Sequence, residues 1–282
     1  MANYRTSSLF HYTKRIKTIL EILKTGALYP NYSLEDLSSD SYPDFKFGIP
    51  EVCLCDIPIT MADLFLERYG KYAIAFSKQW GIKKGCNPVQ YVSNERIIIG
   101  AAFRDEEMRE INKSVTELLT IKGLAFNFDK FFKSLQRNDA NMYALGFLKN
   151  YYGDDYQKGY INYNENEWRY IIEDDAINGV KWLQGEEEYL KWRGQNNYIS
   201  KKTGKLVKVR KKPEPTQKMK AEALVFEPSD INHIIVFNES EIPDIIEGIN
   251  GLKAIGEHVL DDAEKAILIS KISSFERIKM DY

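Results

Sequence analysis

The order in which strand-like and helix-like segments follow one another constrains this chain more than any single motif. Short apolar runs, EVCLCDIP from residue 51, YAIAFSK from 72, NPVQYV from 87 and ERIIIGAAF from 95, are interleaved with helix-patterned stretches. No steady strand–helix–strand rhythm links them, and a doubly wound parallel sheet needs that rhythm, so the pattern predicts an α+β fold. Residues 14–25 place Ile16, Ile19, Leu20 and Leu23 at helical spacing before Gly26 ends the run. Residues 29–50, rich in Ser, Asp, Pro and Tyr, read as loop. EVCLCDIP reads as a short buried strand closed by Pro58, and ITMADLFLERYG as a helix of three turns or fewer.

Residues from about 105 to 152 turn helical and read as an insertion into a strand-based core. ENEWRYII returns to strand, residues 184–193 suit a short helix, and KLVKVRKK alternates enough for a hairpin arm within a basic loop at about 194–220. EALVFEPSDINHIIVF supplies two late strands, and helices follow near 239–250 and 260–272. With no internal repeat, residues 1–282 are expected to form one α+β domain.

Composition then limits the function classes. Apolar residues at 44% and charged residues at 28% allow a true core. A net charge of −2 gives no global field toward nucleic acid or an anionic membrane, so either partner would need a local patch. No apolar run approaches the roughly 18–20 residues of a membrane span, and the N-terminus lacks the apolar core of a secretory signal. Three cysteines imply no disulfide framework. A reduced, cytoplasmic chain is expected.

The motif search excludes more than it finds. No GxxxxGK[ST], GxGxxG or GxSxG occurs, which removes P-loop, Rossmann and serine-hydrolase readings. Cys53 and Cys55 alternate along a strand, but a structural zinc site needs four ligands, so no metal is expected there. The histidines are His11, His233 and His258. His233 lies in a strand pattern that suits a structural role. His11 stands in His11-Tyr12-Thr13 just ahead of the first helix, where Thr13 could equally serve as a cap.

Two later segments give His11 a chemical context. Tyr69, or Tyr72, follows a strand and a short helix, and in NENEWRYII Glu167 opens a strand. In this order the residues resemble the His-Tyr-Glu pattern of diphtheria-toxin/PARP-type ADP-ribosyltransferases. That resemblance implies a split mixed or antiparallel sheet and NAD as substrate, with His11, Tyr12, Thr13 and the tyrosine holding the dinucleotide. Cleavage of the nicotinamide–ribose bond develops positive charge on the ribose, which a fixed carboxylate stabilises, and an aromatic face stacks on the nicotinamide. Glu167 is the preferred carboxylate, beside its plainer reading as a surface residue paired with Arg169. Glu222 is an alternative, in what reads as an Ala-Glu strand. So is Glu165, which E-x-E spacing would put on the same side of a strand as Glu167. Lys208, Arg210, Lys211 and Lys212 could contact phosphates of a nucleic-acid acceptor or form a solvated hairpin.

A longer resemblance runs through SLFHYTKRIKTILEILKTGALYPNYSLED, IPEVCLCDIP, YGKYAIAFSKQWGIKKGCNPVQYV, ENEWRYI and LVFEPSDINHIIV. Over these segments the chain resembles the AbiGi family of abortive-infection proteins. The resemblance implies phage defence and a partner protein, since the family is associated with the antitoxin half of a two-gene system whose toxin is nucleotidyltransferase-like. Two functions follow as expectations: an NAD-dependent ADP-ribosyltransferase-like effector acting on nucleic acid or protein, or a non-catalytic antitoxin that neutralises a toxin by contact.

Overall fold

A computed structural model describes residues 6–38, 45–93, 143–153, 160–172, 180–199, 205–208 and 212–281. Among them is a mixed, mainly antiparallel sheet of nine strands. Its spine runs β10 (Ile272–Ser274), β9 (Ile231–Val236), β4 (Tyr72–Ser77), β1 (Ser8–Thr13), β3 (Lys46–Cys55), β7 (Glu167–Ile171) and β5 (Asn87–Pro88). β2 (Asn31–Asp36) and β8 (Leu183–Gln184) pair with the first half of β3. The α+β class holds, and the sheet is indeed mixed, with β9 and β10 parallel.

β3 organises the rest. Its second half pairs with β7 from Glu51↔Ile171 to Cys55↔Glu167. On its other edge β2 is the neighbour as far as Glu51, and β1 joins at the register pair Phe10↔Cys55. The edge therefore forks between Glu51 and Cys55. At the fork the His11 ring nitrogen Nδ1 lies 3.1 Å from the Cys53 carbonyl, bridging where a backbone ladder would otherwise run.

Alternation along the strands sorts the sheet into two faces. One carries Leu9, Val52, Leu54, Ile74, Phe76, Ile234 and Val236. It is covered by α1 (Ile16–Thr25), α3 (Lys78–Lys83), α4 (Ile242–Gly251) and α5 (Asp262–Ser270), which contribute Ile19, Leu23, Trp80, Ile245, Ile249 and Leu268. The other face carries Phe10, Ala73, Ala75 and Ile235 under α2 (Asp63–Tyr69) and α6 (Phe275–Asp281). α1 ends where its apolar spacing predicts, with Gly26 left-handed at φ 60° and its N–H bonded to the Ile22 and Leu23 carbonyls. Gly70, at φ 121°, turns α2 into β4 so close to β1 that a Cβ there would stand 2.0 Å from the Thr13 carbonyl oxygen.

The structure corrects several expectations. Much of 29–50 is strand and not loop: it holds β2 and the first half of β3, which pair residue for residue from Asn31↔Glu51 to Asp36↔Lys46, while residues 39–44 lie outside the described residues. Polar side chains there hid the strands, because some of them face a buried polar cluster instead of solvent. The helical reading of 105–152 fails at its end, where β6 (Leu148–Asn150) pairs in parallel with Gln90–Val92. Residues 94–142, with the ERIIIGAAF strand and the rest of the insertion, lie outside the described residues. Leu224–Val225 pairs with Ala27–Leu28 and not with β9, so the two late strands belong to different sheets. The hairpin arm is present as Leu206–Val207 against Tyr198–Ile199.

Candidate functional site

On the face of β3 that carries Glu51, Cys53 and Cys55, the neighbouring strands present Glu35 from β2 and Glu167 and Arg169 from β7. Each lies at an alternate position, so the pleat delivers them to one side. Lys149 enters from β6, and Glu165 from the single-turn helix Asn162–Glu165, which Asn166 ends in the left-handed region at φ 41°. Four carboxylates thus meet two cations in the interior.

Arg169, with 0% of its surface exposed, is the hub. Its Nε donates to Glu167 Oε1 at 2.6 Å and lies 3.2 Å from Glu51 Oε2. Nη1 donates to the Gly146 carbonyl at 2.7 Å, and Nη2 lies 2.8 Å from Glu35 Oε1. Lys149 Nζ bridges Glu165 Oε2 at 2.7 Å and Glu167 Oε2 at 2.6 Å. Glu165 Oε1 accepts from both the Tyr69 and Tyr160 hydroxyls at 2.5 Å. The Glu167 backbone N–H donates to the Tyr91 hydroxyl oxygen at 2.8 Å.

These contacts set the protonation states. Burial would raise the Glu167 carboxyl, but Arg169 and Lys149 outweigh it and hold Glu167 far below the usual carboxylate range. Glu35 goes the other way. Burial, with added repulsion from Glu51 and Glu167, lifts it to about 7 against the pull of Arg169 and Lys149. Burial and then Glu165 push the Tyr69 hydroxyl far up, so Tyr69 stays a neutral donor. Burial also raises the Cys53 thiol, which donates to Glu51 Oε1 at 3.1 Å.

Glu51, Cys53 and Glu167 offer ligand atoms within 4.8 Å of one another. The Arg169 guanidinium, however, contacts both carboxylates of that trio, so their countercharge is already in place. A metal there would have to displace it.

The sequence-predicted residues separate. Tyr69, Tyr12, Glu165 and Glu167 lie on the cluster side: Tyr12 and Tyr69 pack around Cys55 with Tyr160. His11 alternates with Phe10 and Tyr12, and its register partner is Ile74, so it lies on the opposite face. Burial lowers its basicity, partly offset by the Cys53 carbonyl. Thr13, also on that face, turns its hydroxyl onto the Arg15 carbonyl, and the Tyr72 hydroxyl donates to Glu241 at 2.6 Å. Glu165 meets Glu167 through Lys149 but stands on a helical turn, correcting the E-x-E strand expectation. Glu222 caps the helix Gln217–Ala221 and interacts with Tyr170, so it opens no strand. Lys208 is exposed, Lys212 turns its ammonium onto the Tyr32 carbonyl at 2.9 Å, and Arg210 and Lys211 lie outside the described residues.

Sequence reasoning missed Glu35, Glu51, Lys149, Tyr91 and Tyr160. The signal available was the alternation Glu51-Val-Cys53-Leu-Cys55 facing Glu167-Trp-Arg169, which places an acid and a base on one strand face. An open hollow lined by Leu20, Lys24, Asp244, Gly248 and Leu252, between α1 and α4, includes none of the predicted site residues.

A family model described as abortive phage resistance protein AbiGi, antitoxin, matches residues 27–237. The abortive phage resistance protein AbiGi of Lactococcus lactis subsp. cremoris is 26% identical over 275 residues, covering 91% of this chain and 100% of that protein. No solved structure matches the chain. Among the described residues, no helix is long and apolar enough to cross a membrane.

Proposed function

The chain belongs to the AbiGi family of abortive phage resistance proteins, and from that premise we propose that it serves phage defence as a non-catalytic antitoxin, neutralising a toxin by direct contact. One observation carries the reading. Glu167, the carboxylate best placed in sequence for ribose chemistry, has Oε1 held by Arg169 and Oε2 by Lys149, with the residue 4% exposed. A carboxylate that stabilises a developing oxocarbenium ion must present a free edge to substrate. This one presents its edges to two cations of its own chain. His11, on the opposite face of the sheet, does not share its side. The description of the family as an antitoxin agrees with this reading.

The test pairs two assays on the full chain. Expressed alone it should leave growth unaffected, and co-expressed with a partner toxin of the nucleotidyltransferase-like class that the family resemblance implies, it should relieve growth arrest. Incubated with labelled NAD and cell lysate, it should transfer no label. Growth arrest on solitary expression, or label transfer that Glu167→Gln abolishes, would replace this reading with NAD-dependent transfer.

A further inference from the structure

Beside the ionic cluster the structure gathers tyrosines in a run of ring contacts that reaches the surface. Tyr163 stacks on Tyr151, centroids 5.4 Å apart at 23°, and meets Tyr91 edge-on at 5.4 Å. Tyr151 in turn meets Tyr152 edge-on at 4.9 Å. Tyr163 is 51% exposed and Tyr152 48%, so half of each outer residue faces solvent. The bridge Tyr152↔Ile161 ties the two segments together. Tyr91 connects them to the cluster, since its hydroxyl oxygen receives the Glu167 N–H.

Exposed tyrosines in contact are characteristic of binding faces: each offers a large, rigid area with few rotors to freeze. Their electrostatic setting selects the partner. Segments 150–153 and 160–166 contain one ionisable acid, Glu165, and no Lys or Arg. Together with that acid, Glu35, Glu51 and Glu167 behind it set four carboxyls against the two cations Lys149 and Arg169, Glu35 adding its charge as pH rises through about 7. Tyrosine ring faces are themselves electron-rich and attract a cation placed over them. A phosphate backbone would meet the same field as repulsion. Tyr151 and Tyr163 already stack on each other, which leaves no slot between them for a base.

Resting on the antitoxin reading, we infer that Tyr91, Tyr151, Tyr152 and Tyr163 form the face that docks the toxin, with an arginine- or lysine-bearing segment of that protein lying over the outer rings.

The experiment is titration calorimetry of the purified chain against the purified nucleotidyltransferase-like toxin of the co-expression assay. Three variants probe the face: Tyr152→Ala/Tyr163→Ala, Tyr163→Phe and Tyr163→Lys. Val259→Ala, remote and exposed, is the control. Loss of two aromatic anchors should weaken binding about 30-fold or more. Phe should stay within about threefold of wild type, because the ring is kept. Tyr163→Lys should weaken binding about tenfold or more, and raising salt should weaken the wild-type complex. Urea midpoints matching wild type establish that the variants are folded, and the Phe and Lys pair gives the answer if the double variant is not. Toxin binding by the double variant within threefold of wild type would overturn the docking face while leaving the antitoxin reading in place. A wild-type chain that neither binds nor neutralises the toxin overturns both. A single-stranded oligonucleotide titrated in parallel should not bind; binding that the same variants lose would reassign the face to nucleic acid.

Discussion

Replacing Glu35 by Gln should flatten the pH dependence of stability in one defined window. In the folded chain the Glu35 carboxyl is lifted from its ordinary 4.5 to about 7, chiefly by burial. Between those values the folded chain holds a proton that the unfolded chain releases, so this site favours folding most below pH 4.5. That contribution is lost as pH rises through 7. A lift of this size corresponds to about 3 kcal/mol at its limit, and to about 2 kcal/mol between pH 5.5 and pH 8.5. His11 and His233 act in the opposite sense over part of the same range, because burial lowers both. The wild-type curve alone would therefore mix the two effects. Subtracting the Glu35→Gln curve removes the histidines, which both proteins share. Urea unfolding followed by circular dichroism at pH 5.5, 7 and 8.5 gives the difference directly. Relative to the variant, the wild type should lose about 2 kcal/mol across that span. A difference flat to within about 0.5 kcal/mol would show that burial does not lift the Glu35 carboxyl as described, and would refute the reasoning.

Arg169→Met should cost about 3–5 kcal/mol in the same unfolding assay, because it leaves Glu35, Glu51 and Glu167 facing one another without their hub; a cost under about 1 kcal/mol would mean the cluster is solvated. Gly70→Ala should lower the urea midpoint by an amount corresponding to about 2 kcal/mol or more, since the new methyl meets the Thr13 carbonyl in a backbone conformation that L residues avoid. An unchanged midpoint would place the turn elsewhere.

The parts of the fold legible in sequence were those whose side chains state their own environment. YAIAFSK became β4, with Ala73, Ile74, Ala75 and Phe76 all buried, because both faces of a central strand are covered by helices. The spacing of Ile19 and Leu23 and the stop at Gly26 gave α1 within two residues. What escaped was structure whose polarity is answered from far along the chain. NYSLED looks like surface until Glu35 is seen to face Arg169, and Lys149 looks like one more solvated lysine of a helical run until it meets Glu165 and Glu167. The site was legible to a similar depth: Tyr69, Glu165 and Glu167 do lie together. His11 was misplaced by a single alternation of the pleat, which a motif read as a string does not display.

The fork in β3 and the cluster beneath it also determine the order in which the chain can mature at the ribosome. Glu35 and Glu51 emerge early, whereas the cations that answer them arrive only with residues 149 and 169. Until then the nascent first half carries two acids it cannot bury without protonating them. The antiparallel pair β1–β4 likewise lacks its outer neighbour until β9 has been made near residue 231. β1 to β4 can pair within the first 77 residues, but synthesis must pass residue 169 before the acids of the cluster meet their cations and residue 274 before the spine of the sheet is complete.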